Sequence, residues 1–445
     1  MVQRYAKQIA LGVVLIATII LAVQAHQKVA HEMTRQKHID AFDSYMKVVP
    51  KFIHDHKPYR SDRFPLPPFA MLFVAPFTLL SRPDAQAAWV LCKPLFFIPI
   101  FLLAYSIIRR SSGTVLEPLA IALIIAGWFF PVIGDIQEGQ MNLLMLLPLT
   151  IGLWFAQNSD KRSQILAGLF VAMAICIKVT PLAFLAYFLY RRRWLLSALI
   201  VIGSGLWLFV VPGIFFGFGQ NLLWMHQWTD IMIKPYIFHD RIKFPNGESI
   251  PELVLRFFSH EPAWKTFSHG HVVWHYVNIT AISPRLAHLI GRVILLIIAI
   301  AGIVWARKSV PDFHARRYPM EIACIGAFML WASERTWVPH YVTLIFALMA
   351  VGMIACDKLA TRKSQKIAWW SLLAVALLMP LTSGFARIFG PDGRHYTDCA
   401  DVVIWCSFML VGAIFAARFH PPGAYVVATD VSADCGQPAI TSGDK

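Results

Sequence analysis

Charged side chains are scarce in this chain: Asp, Glu, Lys and Arg make up 15% of its 445 residues. Water-soluble globular proteins typically carry about 25%. Hydrophobic residues account for 57%, and the mean hydropathy is +0.58. A chain so apolar does not remain disordered, because it has ample hydrophobic surface to bury. The composition therefore excludes a single water-soluble domain and predicts an integral membrane protein.

Cysteine pairs and the motifs of common soluble enzymes are also missing. The seven cysteines include no C-x-x-C pair, which argues against a disulfide framework and a thiolate metal site. The chain has no Walker loop, no G-x-G-x-x-G fingerprint, no G-x-S-x-G elbow and no H-E-x-x-H motif. The sequence predicts neither a cofactor nor a bound metal. Without a large cytoplasmic segment for a nucleotide, any donor substrate must come from the membrane or the outer side.

Long apolar runs are abundant instead, and about twelve of them could cross a bilayer as helices of roughly 20 residues. They cover residues 9–25, 86–108, 114–133, 141–157, 163–178, 180–190, 195–215, 285–306, 319–333, 339–356, 367–383 and 400–417. The run 180–190 is short, and the neighbouring Lys178, Thr180 and Pro181 predict a helix with a broken start. The composition and these runs together predict an all-α polytopic membrane protein.

The net charge of +15 is explained by loops rather than by nucleic-acid binding. The basic residues of the short loops collect on one side of the membrane, apart from Arg335, if the proline-rich run 66–81 does not cross it. The long first outer loop also contains nine basic residues, but long loops count less in this rule. We therefore predict that residues 66–81 form a re-entrant or interface-lying helix and that both termini are cytoplasmic. The basic residues that decide this are Arg109, Arg110, Lys161, Arg162, Arg191, Arg192, Arg193, Arg307, Lys308, Arg316, Arg317, Lys358, Arg362, Lys363 and Lys366.

This topology defines a single transmembrane domain over residues 1–420. Two large extracytoplasmic loops are predicted, at about 26–85 and 217–284. Residues 421–445 contain glycine, proline and serine without apolar periodicity, so we expect a disordered cytoplasmic tail. The predicted location is the inner or plasma membrane, with multiple spans.

Two carboxylates in the first outer loop are candidates for acid–base chemistry. Asp40 and Asp43 are three residues apart, so a helix would place them on one face. A carboxylate there could take a proton from an acceptor hydroxyl. The alternative is that they cap a helix next to the membrane, since aspartate is a favoured cap residue.

Further polar groups are expected at the same outer side. Gln140 and Asn142 follow a polar turn between two spans, and Lys178 lies near the outer end of another. Polar groups at membrane depth usually line a cavity, and lysine suits a phosphate as a compact point charge. The alternatives are an ordinary polar turn and a lysine that snorkels to the interface.

A last polar group begins a later span. Glu334, Arg335 and His340 would cluster at the water–membrane boundary. Histidine could bind a phosphate or pass a proton near neutral pH. The alternative for His340 is a hydrogen-bonded interfacial residue.

In these segments the chain resembles glycosyltransferase family 87, a membrane family of the C-type glycosyltransferase fold. The resemblance rests on AFDSYMKVV, on FPLPPFAMLFVAPF, on the G-Q-x-N stretch with Gly139, Gln140 and Asn142, and on the A-G-L…K-x-T-P stretch from Ala167 to Pro181. Weaker similarities lie at Asn246, Ser249 and Arg256, and at Pro339, His340 and Tyr341. Together they span most of residues 40–345.

The resemblance implies transfer of a sugar, with mannose favoured, from a polyprenyl-phosphate donor to a lipid or glycan acceptor. It implies inversion, a carboxylate base in the first outer loop and no nucleotide or obligatory metal. Donor phosphate and sugar contacts are assigned by this likeness to Lys178, Arg335, His340, Gln140, Asn142, Tyr45 and Glu334.

The base departs from the family pattern, in which aspartate stands four residues before tyrosine. Here Ala41 stands four before Tyr45, with Asp40 one position earlier and Asp43 two before the tyrosine. Asp40 is favoured as the base, Asp43 is the alternative, and an inactive homologue is the third reading.

Two rival functions stay open on the sequence. A lipid or oligosaccharide transporter or flippase would need polar residues near the midplane and perhaps an inverted repeat, and the chain shows neither convincingly. An O-antigen ligase or polymerase would be expected to carry an arginine-rich outer loop. The second loop, with Arg241, Arg256 and a few lysines, is unremarkable in that respect.

Overall fold

Prolines mark the start of many helices of this chain, where a missing N–H costs nothing and the fixed φ is already helical. The computed structural model describes residues 2–35, 40–54, 59, 64–235, 247–268, 271–307, 315–390 and 393–420. The predicted tail at 421–445 lies outside these residues. The described chain is mostly helical, which confirms the predicted helical membrane protein.

The α-helices in chain order are α1 (Val2–Arg35), α2 (Asp40–His54), α3 (Pro68–Val74), α4 (Arg82–Cys92), α5 (Pro94–Ser112), α6 (Pro118–Gln137), α7 (Asn142–Phe155), α8 (Lys161–Ile177), α9 (Leu182–Tyr190), α10 (Trp194–Gly205), α11 (Val211–Phe216), α12 (Phe218–Trp228), α13 (Ile250–Phe258), α14 (Pro284–Ala306), α15 (Arg317–Ala332), α16 (Ile345–Cys356), α17 (Arg362–Leu378), α18 (Gly393–Cys399) and α19 (Val402–Ala416). Short 3₁₀ segments lie at Ala75–Leu79, Val338–Leu344, Met379–Thr382 and Gly384–Phe389. Single π-helical turns follow α10 at Leu206–Val210 and α12 at Thr229–Ile233.

Seven helical segments of the described chain are long and apolar enough to cross a membrane. They are Val14–His31, Arg82–Ser112, Pro118–Gln137, Trp194–Phe216, Pro284–Ala306, Val338–Cys356 and Arg362–Thr382. Other predicted spans are helical but shorter, among them α7, α8, α9, α15 and α19. The count of twelve spans therefore stays a prediction.

The proline-rich run 66–81 forms α3 and the 3₁₀ segment Ala75–Leu79, an apolar stretch of 12 residues. At 1.5 Å per residue such a stretch is roughly 18 Å long, too short for a hydrocarbon core of about 30 Å. This length agrees with a segment that does not cross. Its orientation at the interface stays a prediction.

The all-α prediction did not include one element, a hairpin in the second predicted loop. Strands β1 (Trp264–Ser268) and β2 (His271–His275) pair antiparallel, with Trp264 opposite His275. The hairpin connects α13 to α14. The same loop also contains α12 and α13, so much of residues 217–284 is regular structure.

The core of the bundle is built around α16 and the 3₁₀ segment before it. In that stretch, Val338–Cys356, 94% of the residues in the most apolar window are buried. The Trp128 side chain of α6 donates from Nε1 to the carbonyl of Val342 at 2.7 Å and stacks on Phe97, with ring centroids 4.6 Å apart. In contrast, only 6% of the corresponding window of α14 is buried, as expected for a helix with lipid on most sides.

Small residues bring α7, α8 and α10 close together. A Cβ on Gly168 would lie 2.5 Å from the Cβ of Leu199, and one on Gly152 would lie 2.7 Å from a methyl of Val171. Glycine at helix contacts lets backbones approach in membrane bundles. This packing fixes α8, whose C-terminal end delivers Lys178.

One buried ionic cluster lies near the N-terminal end of α15. The guanidinium of Arg191 pairs with Glu321, and Arg317 Nε donates to the same carboxylate at 2.8 Å. Tyr187 also donates to Glu321, at 3.0 Å. About eleven residues of helix separate Glu321 from the opposite end of α15, roughly 16 Å at 1.5 Å per residue.

Candidate active site

The turn between α6 and α7 is organised by a fully buried carboxylate. Asp135 Oδ1 accepts from the backbone N–H of Asn142 at 3.0 Å, and its carbonyl accepts from Gln140 N at 3.1 Å. Gly139 adopts φ +63°, which suits glycine and lets the chain reverse direction. The Trp89 indole N–H donates to the carbonyl of Gly139 at 3.0 Å. The turn is thus stabilised by Trp89 of α4 and by the Asp135 carboxylate.

Lys93, between α4 and α5, completes this turn. Its Nζ lies 2.8 Å from Asp135 Oδ2 and 2.9 Å from the Asp135 carbonyl, and it also donates to the carbonyl of Gln140. Lys93 is 3% exposed and Asp135 0%. Sequence reasoning did not select Lys93. The available signal was a lysine inside the apolar run 86–108, where ionisable residues tend to be functional.

Lys178 joins the same group from α8. The helix ends at Ile177, and Lys178 is extended, with φ −151° and ψ 130°, which confirms the predicted break before α9. Its Nζ donates to Asn142 Oδ1 at 2.6 Å. Because lysine only donates, this contact fixes the Asn142 amide so that Nδ2 points elsewhere. Nδ2 is buried and has no hydrogen-bond partner among the described residues.

His340 approaches Lys178 from the 3₁₀ segment Val338–Leu344. The two side chains are close enough to interact electrostatically. His340 Nδ1 lies 3.1 Å from the backbone nitrogen of Trp337 and 3.2 Å from the carbonyl oxygen of the same residue, so the Trp337 backbone positions the ring. The structure therefore brings together Asn142, Lys178 and His340, three residues selected from the sequence.

Helix α2 places the first predicted loop beside this group. Tyr45 is buried, its hydroxyl lies 3.5 Å from Gln140 Oε1, and burial raises the pKa of Tyr45. The backbone N–H of Ala41 donates to the Glu138 carbonyl at 3.2 Å, so α2 begins at the α6–α7 turn. Asp40 is the first residue of α2, and its side chain lies outside the described part of the structure.

The second candidate base has a different environment. Asp43 is buried and pairs with two cations: Lys47 Nζ lies 2.5 Å from Oδ2, and Arg82 contacts Oδ1. Both cations come from the chain itself, one from the next turn of α2 and one from the start of α4. The carboxylate therefore ties α2 to α4.

Two predicted contact residues lie toward the second loop. Glu334 Oε1 is 3.8 Å from Arg292 Nη2 on α14. Arg335 lies close enough to Glu252 on α13 to interact with its charge. The structure thus places Glu334 and Arg335 beside α13 and α14.

A cavity of about 1140 Å³ opens beside the α6–α7 turn. Its lining includes apolar and aromatic side chains, among them Phe129, Phe130, Ile133, Trp337, Val338 and Pro339. It also includes polar ones, among them Glu248, Arg256, Lys265, Thr382, Ser383, His395 and Asp398. Ala41, Gly134, Glu138 and Gln140 connect the cavity with the turn described above. A volume of this size is typical of small-molecule pockets.

Arg256, one of the polar residues in the cavity lining, forms a buried ion pair. Arg256 contacts Asp401, and its Nη2 donates to the Gly247 carbonyl at 3.3 Å. Nearby, burial raises the pKa of Glu252 to about 9. Of the weak sequence similarities in this loop, Ser249 and Arg256 are buried, and Asn246 lies outside the described residues.

Among the residues that the structure describes, no three His, Cys, Asp or Glu side chains are grouped to hold a metal ion. The contacts that the cavity and turn offer are hydrogen-bond donors, carboxylates, the buried Lys93 and the half-buried Lys178. Such a set suits an anionic group and a polyol.

The sequence profile of glycosyltransferase family 87 matches residues 64–384. The chain belongs to glycosyltransferase family 87. The match covers α3 through the 3₁₀ segment Met379–Thr382, and it contains the α6–α7 turn, Lys178 and His340. The chain is therefore a membrane glycosyltransferase, and the transporter reading is not supported.

Two curated relatives carry the same name, polyprenol-phosphate-mannose-dependent alpha-(1-2)-phosphatidylinositol mannoside mannosyltransferase. The one from Mycobacterium tuberculosis (strain ATCC 25618 / H37Rv) is 22% identical over 329 residues, covering 71% of this chain and 67% of the relative. The one from Mycolicibacterium smegmatis (strain ATCC 700084 / mc(2)155) is 23% identical over 397 residues, covering 81% and 78%. No solved structure matches the chain.

Proposed function

We propose that this family 87 enzyme transfers mannose from a polyprenyl-phosphate donor to a lipid or glycan acceptor on the extracytoplasmic face of the inner or plasma membrane. The names of the two relatives support the donor and a glycolipid acceptor. The fold we propose is the C-type glycosyltransferase fold, with about twelve spans.

The observation that carries this proposal is that Lys178 forms no direct ion pair with a carboxylate among the described residues. Asp135 is paired with Lys93, whereas the hydrogen bond of Lys178 goes to a neutral amide oxygen. Two lysines and one carboxylate leave a net positive charge beside Asn142 Nδ2 and His340. Burying such a charge without an anion is costly. A lipid phosphate at Lys178 would supply the missing negative charge.

Asp40 is the proposed general base. Its neighbour Ala41 lines the cavity and is hydrogen-bonded to the turn, so the first residue of α2 begins at the cavity edge. Asp43, by contrast, is engaged by Lys47 and Arg82. Paired carboxylates are poor bases, because a nearby cation favours the ionised form and lowers proton affinity.

The proposed reaction is a single inverting displacement. The acceptor hydroxyl gives its proton to Asp40 as its oxygen bonds to the anomeric carbon. The bond from that carbon to the phosphate oxygen breaks on the opposite face, and polyprenyl phosphate leaves with the electron pair. Lys178 and the imidazole of His340 would stabilise the charge that grows on this oxygen. Gln140, Asn142 and Tyr45 would hold the donor, with Glu334 and Arg335 assisting from the second loop.

A transfer assay in reconstituted vesicles tests the proposal. The wild type would receive radiolabelled polyprenyl-phosphate-mannose and a membrane lipid extract. We expect a labelled glycolipid, and a drop in kcat of about 10²–10⁴-fold for Asp40→Asn with donor KM nearly unchanged. The matched variant Asp43→Asn should mainly lower the melting temperature, with a smaller effect on kcat.

Three results would contradict parts of the proposal. Full activity of Asp40→Asn with collapse of Asp43→Asn at intact stability would move the base to Asp43. Activity of both variants would exclude a carboxylate of the first loop. Absence of transfer by the wild type with every polyprenyl-phosphate sugar offered would identify an inactive homologue.

A further inference from the structure

The ion pair between Lys93 and Asp135 is buried inside the helix bundle, where charged groups are energetically unfavourable. Both groups are almost inaccessible to solvent, and taking two charges out of water carries a large desolvation penalty before their attraction is counted. Well-packed apolar side chains often replace such pairs without loss of stability. A buried pair at this position therefore needs an explanation other than folding stability.

The contacts of Asp135 supply one. Both carboxylate oxygens are used: Oδ2 by Lys93 and Oδ1 by the backbone N–H of Asn142. Asn142 is the first residue of α7, and at the start of a helix the backbone N–H has no partner within the helix. Asp135 thus fixes the residue whose side chain contacts Lys178.

Lys93 fixes the other end of the same turn. It donates to the carbonyls of Asp135 and Gln140 as well as to the carboxylate. The chain of contacts runs Lys93, Asp135, Asn142, Lys178. Two donors lie at its end, the Lys178 ammonium and the buried Asn142 Nδ2, which has no partner among the described residues.

We propose that Lys93 and Asp135 are positioning residues of the transfer reaction: they orient Asn142 and, through it, Lys178 toward the anionic group of the donor. This inference rests on the proposed function. The pair touches no substrate. Asp135 also cancels the charge of Lys93, so that the positive charge is confined to Lys178.

A double-mutant cycle separates positioning from simple stabilisation. Asp135→Asn, Lys178→Met and the double variant would be compared for donor KM, kcat and melting temperature. We expect Asp135→Asn to lower kcat/KM about 100-fold, the scale of loss for a misplaced contact of about 1 Å, mainly through KM. In the Lys178→Met background the same change should alter kcat/KM by no more than about twofold, because Asp135 then has no lysine left to position.

Glu321→Gln is the matched control. It also disturbs a buried ionic cluster, but this cluster lies near the N-terminal end of α15 and contains none of the proposed donor contacts. It should lower the melting temperature and leave donor KM unchanged. If Asp135→Asn does not fold, Lys93→Arg serves instead, because arginine keeps the charge but not the compact geometry of the ammonium. It should raise donor KM in the wild-type background and leave it unchanged in Lys178→Met.

Equal fold-losses in both backgrounds, or a lower melting temperature with unchanged KM, would overturn the positioning role. A wild type that transfers no sugar would overturn the proposed function and this inference with it. The two failures are distinct, because the second is seen in the wild type alone.

Discussion

The Nζ of Lys178 lies 2.6 Å from the Oδ1 of Asn142, at the junction where α8 ends and α7 begins. The contact joins the G-Q-x-N and K-x-T-P stretches, which are separate in the sequence. Because an ammonium group donates hydrogen bonds and accepts none, the oxygen of the Asn142 amide must face Lys178 and its nitrogen must point away. A neutral partner also leaves the lysine charge available to a ligand.

Lys178→Met should raise the donor KM about 10- to 100-fold, because a hydrogen bond to a charged group contributes about 1.5–3 kcal/mol. Methionine keeps the length and loses the charge. Initial rates against the concentration of polyprenyl-phosphate-mannose measure this. The exposed Lys366→Met is the matched control and should behave as the wild type. An unchanged KM in Lys178→Met would exclude a phosphate contact.

His340→Asn should separate the two ring nitrogens of His340. The asparagine carbonyl can accept from the Trp337 backbone N–H, as Nδ1 does now, but no donor replaces Nε2. We expect a melting temperature close to that of the wild type and a kcat lower by about tenfold or more, the cost of one charge-assisted hydrogen bond. His340→Ala should lose both stability and activity. Full activity of the asparagine variant would remove Nε2 from the reaction.

Glu252→Gln should stabilise the protein at alkaline pH. Burial raises the pKa of Glu252 to about 9, above the unfolded value, so the folded state favours the neutral carboxyl. Its contribution to stability is full at acidic pH and is lost as pH rises toward 9. At pH 8 the free energy of unfolding of the variant should therefore exceed that of the wild type by about 1–3 kcal/mol, and its melting temperature should be higher. At pH 4.5 the two proteins should be equally stable. The exposed Glu117→Gln should show no such pH-dependent difference.

Gly168→Ala should destabilise the α8–α10 contact. The added methyl would lie 2.5 Å from the Cβ of Leu199 and 3.0 Å from its carbonyl carbon, so one backbone must move. Overpacking of this kind costs about 1–3 kcal/mol, and the shift should also reduce transfer by displacing Lys178. Gly205→Ala is the control, because nothing lies within 4 Å of the added atom. Equal melting temperatures of the two variants would contradict this packing.

The sequence was sufficient for the helical membrane class and for the break at Lys178. It also selected Asn142, Lys178 and His340, because polar residues at the ends of apolar runs stand out against lipid. Lys93 was missed since a lone lysine in an apolar run does not show which carboxylate it meets. The partner of Asp43, Arg82, was equally invisible, because it lies on another helix. Only the fold brings such pairs together.

The cavity lining extends further toward the C-terminus than the family match does. The family match ends at residue 384, yet His395, Asp398 and Cys399 line the cavity beyond it. The imidazole of His395 stacks on Trp264 of the hairpin, with centroids 5.7 Å apart, and Asp401 holds Arg256. A chain truncated at the end of the match would lose these three residues from the cavity lining, together with the Asp401 partner of Arg256. We therefore expect the smallest active form of the enzyme to extend at least to Asp401.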